Sequence, residues 1–245
     1  MTIHLQPTAP LAERVLLPGD PGRALLLAQA LLSEPKMFNH NRGLWGYTGP
    51  ALLDGEPLTI QSSGMGGPSA AIVISELADL GARTILRVGT CGGLDESLAL
   101  GELVVVSEAV CEDGCSRALQ AGSRVGADGT PQAASRVRPD GALVAALRDG
   151  GPLRAGPVVS TDLFYDTAPG TEERWHDDGL MAVEMEAATL FALAARRRLR
   201  AGALLAVTDL LLPTRRRIDP DALRDAEHRL GETAVAALAA TAATA

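Results

Sequence analysis

The sequence predicts an α/β protein, a three-layer α/β/α sandwich with a central mixed, largely parallel sheet. Two observations carry that reading. Short runs suited to strands alternate with alanine–leucine runs suited to helices, and that alternation builds parallel sheets layered by helices. Several strand-like runs are apolar along their whole length, as a sheet covered on both faces requires.

The elements follow in chain order. "RVLLP" (14–18) reads as a strand, "GDPG" as a turn and "RALLLAQALL" (23–32) as a helix. "NHNRGLWGYTG" (39–49) is rich in turn formers and reads as a loop entering an edge strand. "LTIQSS" (58–63) is a strand, "GMGGP" a turn, and "SAAIVISELADLG" (69–81) a helix closed by glycine. "TILRVGT" (84–90) and "ELVVVSEAV" (102–110) are strands. The stretch 111–138, poor in large apolar residues, reads as a mobile surface loop. "PDGALVAALRD" (139–149) is helical, and "RAGPVVST" (154–161) and "GLMAVEME" (179–186) are strands. "AATLFALAARRRL" (187–199) is a helix, "AGALLAVTD" (201–209) a strand, and a helix over 219–243 closes the chain. There is no internal repeat.

With 245 residues, 47% hydrophobic and 21% charged, the chain suits one domain, 1–245, with a real core. The net charge is −8, and no basic run is longer than Arg196–Arg198 or Arg215–Arg217, so an extended nucleic-acid footprint is not expected. No apolar run approaches a membrane span, and the first residues lack the basic and apolar regions of a secretory leader. The expectation is a cytoplasmic protein with no membrane partner. Three cysteines imply no disulfide framework, and Cys111 and Cys115 have no histidine nearby with which to hold a metal.

In open α/β sheets ligands bind outside the carboxyl ends of strands. Polar residues gather at six such ends here: Gly19–Asp20, Ser62–Gly64, Thr90–Cys91, Ser160–Asp162, Glu184–Glu186 and Thr208–Asp209. Glu184 and Glu186 could both point at a ligand if the strand continues through them, because i and i+2 share a strand face. Alternatively they are acids in the first turn of the next helix, favoured by its dipole. Arg87 lies among residues that predict burial, so its guanidinium needs a carboxylate or a bound anion. Arg23 follows a glycine turn at a helix start, where backbone N–H groups favour anions, or it simply begins the helix. Read alone, Arg42 fits a solvated surface and His4 an exposed position in an unstructured N-terminal segment. No Gly-x-Gly-x-x-Gly and no Gly-x4-Gly-Lys-Ser/Thr occurs, so dinucleotide and P-loop readings lack their motifs.

"LPGDPGR", "NRGLWGYTG", "GMGGPS", "RVGTCGG", "STDLFY", "VEMEAATLFALAA" and "VTD" occur in the order and spacing of the nucleoside phosphorylase family. The resemblance spans Ile3 to Asp209 and is nearest to the bacterial hexameric purine enzymes. It implies that Gly19, Arg23, Arg87 and Thr90 hold phosphate. It implies that Arg42 reaches a neighbouring subunit's phosphate, and that His4 crosses to the neighbour's ribose 5′-hydroxyl. Met65 and Met185 would pack on the ribose, Glu186 would accept its 2′- and 3′-hydroxyls, and Glu184 would lie beside base and sugar. Phe164 would stack near the base, with Cys91, Gly92 and Val183 lining it, and Asp209 would be the acid beside the purine. The implied partners are nucleoside and phosphate, in a homo-oligomer expected to be a hexamer built from dimers. No cofactor is implied, inorganic phosphate being a co-substrate. Arg87→Ala is expected to raise the phosphate requirement steeply and leave the fold intact, the charge it removes having no partner but water.

The implied reaction is phosphorolysis of purine (deoxy)ribonucleosides to free base and (deoxy)ribose 1-phosphate by a pentosyltransferase. Three rivals stand beside it. Uridine phosphorylases read uracil with a glutamine and an arginine after the "FY" segment, where "DTAPGTEERWHDD" offers Arg174 and no glutamine. A hydrolytic nucleosidase would not need Arg23, Arg42 and Arg87 together. A non-catalytic nucleoside-binding protein would not need Asp209. The family's helical arginine after the acid has no clear counterpart among Arg215, Arg216 and Arg217, and Thr161 and Thr208 also depart from the common pattern.

Overall fold

The computed structural model describes residues 2–120, 135–165 and 167–242. Strand β1 (Arg14–Leu17) turns into helix α1 (Pro21–Leu31), whose N-terminus is capped by Asp20 through the Gly22 and Arg23 N–H groups. Pro21 occupies the first turn, where a missing N–H is harmless. β2 (Lys36–Asn39), a single 3-10 turn (Asn41–Gly43), β3 (Gly46–Pro50) and β4 (Pro57–Gln61) form the antiparallel end of the sheet. Helix α2 (Gly66–Leu80) begins three residues before its expected start and ends at Gly81, whose φ of 112° suits a residue without Cβ.

The remaining elements are β5 (Thr84–Gly93), β6 (Leu103–Cys111), α3 (Gly114–Gln120), β7 (Arg136–Val137), α4 (Gly141–Asp149), β8 (Arg154–Ser160), α5 (Thr171–Asp177), β9 (Ala182–Glu184), α6 (Ala187–Arg197), β10 (Arg200–Leu210), β11 (Arg216–Arg217) and α7 (Pro220–Ala242). The stretch expected to be a loop, 111–138, carries a helix and a short strand at its two ends, held by Asp113 capping Ser116 and by β7 pairing with β6. Residues 121–134 of it lie outside the described residues. The expected strand 179–186 is shorter, 182–184, so the chain leaves the sheet between the two glutamates.

The sheet is mixed. β4, β1, β5 and β10 run parallel, as do β6, β8 and β9, and antiparallel pairings join these groups. β10 pairs with β5 on one side and β6 on the other, while β9 links β8 to β5, so five strands close on themselves. Closure removes edges from the half of the sheet that carries four of the six polar strand ends, the other two following β1 and β4. Period-2 alternation splits each strand between two cores. Val15, Leu17 and Ile85 pack with α2 and α6, while Leu16, Leu86 and Val88 pack with α1, α4 and α7. These are the three layers. Among the described residues no helix is long and apolar enough to cross a membrane.

Candidate active site

A cleft of about 580 Å³ opens at the carboxyl ends of the strands, within the size range of small-molecule sites. Each of the six polar strand ends contributes to its wall: Gly19 and Asp20, Gly64, Thr90 and Cys91, Thr161, Glu184 and Glu186, and Thr208 and Asp209. Arg23, Arg42, Met65, Arg87, Gly92, Phe164, Val183 and Met185 also line it, so His4 is the single predicted site residue outside the wall. Met65, at the N-terminus of α2, is 85% exposed, and Phe164 is exposed beside Tyr165 in an edge-to-face contact.

The centre of the cleft is built around Arg87, 3% exposed on β5. Its Nε donates to Glu184 Oε2 at 3.0 Å, and its Nη2 lies 2.5 Å from Glu186 Oε2. Burial alone would lower the guanidinium; the Glu186 and Glu184 charges outweigh it and push it up. The buried arginine therefore has two carboxylate partners within the chain. The guanidinium lies over Gly89, where an added Cβ would come within 2.8 Å of Arg87 Cζ and Nη2. Glycine at 89 is the space in which this arginine folds back along its own strand.

The two glutamates part company because β9 ends at Glu184. Glu184 caps α6, accepting from the Glu186 and Ala187 N–H groups at 2.8 and 2.9 Å, and it also accepts from the Ser160 hydroxyl. Neither glutamate stands in the first turn of α6, so that reading is corrected: Glu184 reaches the helix N-terminus from the end of β9 by its side chain. Burial pushes its carboxyl up, Arg87 pulls it down, and the Glu186 charge pushes it up again. Glu186 is the residue at which α6 begins, and its Oε1 accepts from the Gly66 N–H at 2.5 Å, at the start of α2. The expectation that one continuous strand presents both side chains is corrected: β9 ends at Glu184, and of the two glutamates in the cleft wall Glu184 is held against Arg87 and the start of α6 while Glu186 sits between two helix N-termini.

Asp209 is set by a bulge. The β10–β5 register slips between Val207 and Asp209, so Asp209 pairs with Gly92 and Thr208 becomes the extra residue. The Thr208 hydroxyl lies 3.1 Å from Asp209 Oδ2 and 3.4 Å from the Cys91 carbonyl. Cys91 is buried beside them, and burial, with the Glu184 charge, pushes its thiol far above the ordinary cysteine range. It packs as a thiol rather than serving as a nucleophile. Of the three following arginines, Arg216 and Arg217 pair their backbones with Leu210 and Asp209, while Arg215 lines the cleft, 3.8 Å from Glu172.

Arg23 stands at the start of α1, but the N–H groups of Gly22 and of Arg23 itself are already satisfied by Asp20, which corrects the expectation of a free helix N-terminus. Its own Nε donates to Glu227 on α7 at 2.7 Å. Glu227 is 204 positions away, and nothing in its local sequence marks it as a partner. Arg42 sits at φ 58°, a left-handed conformation uncommon for a residue with a side chain. Among the described residues it has no carboxylate partner. His4 lies with its ring Nδ1 2.9 Å from Glu76 on α2, which also accepts from the Ile3, His4 and Leu5 N–H groups. Burial would raise Glu76, but these donors outweigh it and hold it at about 2.

Trp175, Leu211 and Glu172 also line the wall and were not legible as site residues. Trp175 is placed by Glu112, which accepts its indole N–H and both Arg174 Nη groups. Arg174 is not in the wall. It pins α5 down from outside.

Residues 13–244 match the family model described as the phosphorylase superfamily. The purine nucleoside phosphorylase DeoD-type of Jannaschia sp. is 39% identical over 86% of this chain and 88% of its own. The guanosine phosphorylase of Halorubrum lacusprofundi is 39% identical over 80% of this chain and 77% of its own. Among solved structures, uridine phosphorylase from Vibrio fischeri superposes with a TM-score of 0.79 at 25% identity, covering 94% of this chain and 92% of that one.

Proposed function

The chain belongs to the phosphorylase superfamily, and from that premise we propose that it cleaves the N-glycosidic bond of purine ribo- and deoxyribonucleosides with inorganic phosphate. The products are free base and (deoxy)ribose 1-phosphate, and the enzyme is a pentosyltransferase. One observation carries the reading. A single cleft joins a buried arginine, a sugar-facing carboxylate bonded to it, and a second carboxylate, Asp209, on the neighbouring strand.

In this reading phosphate sits against Arg87, Arg23, Gly19 and Thr90, and a phosphate oxygen attacks the anomeric carbon. The glycosidic bond breaks through an oxocarbenium-like state and its electron pair leaves with the base. Asp209, in its acid form, gives a proton to the purine ring nitrogen N7 as negative charge gathers there. Glu186 accepts the vicinal hydroxyls in charge-assisted bonds and fixes the sugar's pose. Met65 and Met185 pack on the sugar, and Phe164, Cys91, Gly92 and Val183 on the base. No cofactor takes part.

Purine is favoured over uracil by Arg174. A uracil reader must face the ligand, whereas Arg174 holds Glu112 with both Nη groups at 2.9 and 3.0 Å outside the wall. Phosphate-dependent base release from inosine, adenosine, guanosine and uridine, run in parallel, tests the assignment. Purine turnover that stops without phosphate is expected. Equal release with and without phosphate would make the protein a nucleosidase, and preference for uridine would make it the pyrimidine enzyme.

The same reading makes it a cytoplasmic homo-oligomer, a hexamer built from dimers in which His4 and Arg42 serve the neighbouring site. Arg42, left-handed and without a carboxylate partner among the described residues, supports this, as do the exposed Ile3, whose N–H bonds Glu76, and the exposed Ile72 on α2. Mixing Arg42→Ala with Glu186→Ala subunits after reversible dissociation should restore activity at hybrid sites. No recovery despite proven subunit exchange would count against shared sites.

A further inference from the structure

We propose that Glu184 is a positioning residue that touches neither sugar nor base: it locks Arg87 and the start of α6 into one unit, so that one buried carboxylate sets both the phosphate place and the sugar place. The inference rests on the phosphorolytic reading above.

An ionised carboxylate offers about four acceptor sites. On Glu184, whose side chain is 0% exposed, Oε2 accepts from Arg87 Nε, Glu186 N and Ala187 N, and Oε1 accepts from the Ser160 hydroxyl and shares Ala187 N. Those four donors fill it, and no acceptor site is left for a hydroxyl of a ligand. Among the described residues Glu186 has one partner per oxygen, Gly66 N and Arg87 Nη2, so two sites remain, one for each hydroxyl of a vicinal diol. Two glutamates two residues apart thus have different work.

Arg87 is fixed by the same arrangement. Nε is held by Glu184, Nη2 faces Glu186, and the plane rests on Gly89. Nη1 makes no bond among the described residues and is the part of the fork left for an anion. If Glu184 shifts, the guanidinium and the first residue of α6 shift with it. The phosphate place would loosen even when no nucleoside is bound.

The test is calorimetric binding of inorganic phosphate without nucleoside, with kcat and KM for inosine and 2′-deoxyinosine, on wild type, Glu184→Gln and Ser160→Ala. Loss of a charge-assisted bond at Arg87 should weaken phosphate binding about tenfold in Glu184→Gln. KM should rise by the same factor for the ribo- and the deoxynucleoside. A penalty seen only with inosine, with phosphate affinity unchanged, would mean that Glu184 is itself a diol ligand and overturn the inference. A lower melting temperature with both affinities unchanged would mean a purely structural role and also overturn it. If Glu184→Gln does not fold, Ser160→Ala keeps the carboxylate and removes one donor, and a shift of about threefold in phosphate affinity is expected; none would overturn the inference. Wild type that neither binds phosphate nor needs it overturns the phosphorolytic reading and this inference together. Wild type that needs phosphate while both variants match it overturns this inference alone.

Discussion

Arg87 Nη2 lies 2.5 Å from Glu186 Oε2, so the arginine suited to an incoming anion and the glutamate suited to a sugar diol are joined to each other. An anion arriving at Arg87 competes for the same guanidinium that steadies the sugar's acceptor. The site is one electrostatic unit.

The first consequence concerns stability. Arg87 has two carboxylate partners rather than water alone, so Arg87→Ala would leave Glu184 and Glu186 buried without their cation and should cost stability. Removing one partner of a buried pair costs about 3–5 kcal/mol, on the order of 10 °C in melting temperature for a chain of this size. Arg87→Met combined with Glu186→Gln should lose less than the two changes summed, because the second relieves what the first leaves unpaired. Thermal unfolding of the four proteins checks this; strict additivity would mean that the pair is not energetically real.

Arg42 allows activity and stability to be separated. Its φ of 58° carries a penalty that glycine would not have. Arg42→Gly is expected to be neutral to about 1 kcal/mol stabilising, the gain being reduced by glycine's freedom in the unfolded chain. Its kcat/KM for phosphate should fall even so. A variant that is at least as stable yet catalytically poorer marks strain kept for function. If Arg42→Gly lowers stability instead, the left-handed turn is held by the side chain and the argument fails.

How much of this was legible in the sequence follows from what each residue depends on. The six polar strand ends could be read because apolar runs end abruptly at them, and strand ends gather on one edge of a parallel sheet. Arg87 could be read as partnered because a charge in an apolar strand must be. Which partner it has could not, since Glu184 lies 97 positions on and only the pairing of β9 with β5 brings them together. The end of β9 between the glutamates was hidden too, because an acid that caps a helix and an acid that lines a pocket look alike in sequence. The Thr208 bulge left no trace, as it is a property of register between two strands. Gly89 was the missed local signal: a glycine two residues after a buried arginine is room for its guanidinium.

Glu76 gives a prediction in pH. Its carboxyl is held at about 2 against an ordinary 4.5, by donors from the N-terminal segment that outweigh burial. A folded value below the unfolded one means the contribution is fully present above about pH 4.5 and is lost as pH falls toward 2. The Ile3, His4 and Leu5 amides should therefore keep their exchange protection at pH 5 and lose it across that window. Glu76→Gln should show weak protection at pH 5 and little further change below. Equal pH dependence in the two proteins would remove Glu76 as the clasp that holds His4.

In the proposed reaction Asp209 decides the leaving group. It stands opposite Gly92, on the same wall as Val183 and Phe164, where the base would lie. A purine offers N7 to a carboxyl there, and uracil has no equivalent nitrogen. Asp209→Asn keeps the size and an N–H donor but has no transferable proton. General-acid help is worth about 10²–10⁴-fold, so adenosine, whose N7 must take up a proton as the base departs, should lose on that order. Inosine should lose less, because a hydrogen bond can partly stabilise its departing anion. Thr208→Ala should have a smaller effect in the same direction, since it removes only the hydroxyl 3.1 Å from Oδ2 that orients the acid. The measurement is kcat/KM for adenosine, inosine and uridine on all three proteins. Unchanged purine turnover in Asp209→Asn would show that the proton comes from elsewhere, and an equal loss for adenosine and inosine would show that Asp209 acts by its shape and charge rather than by its proton.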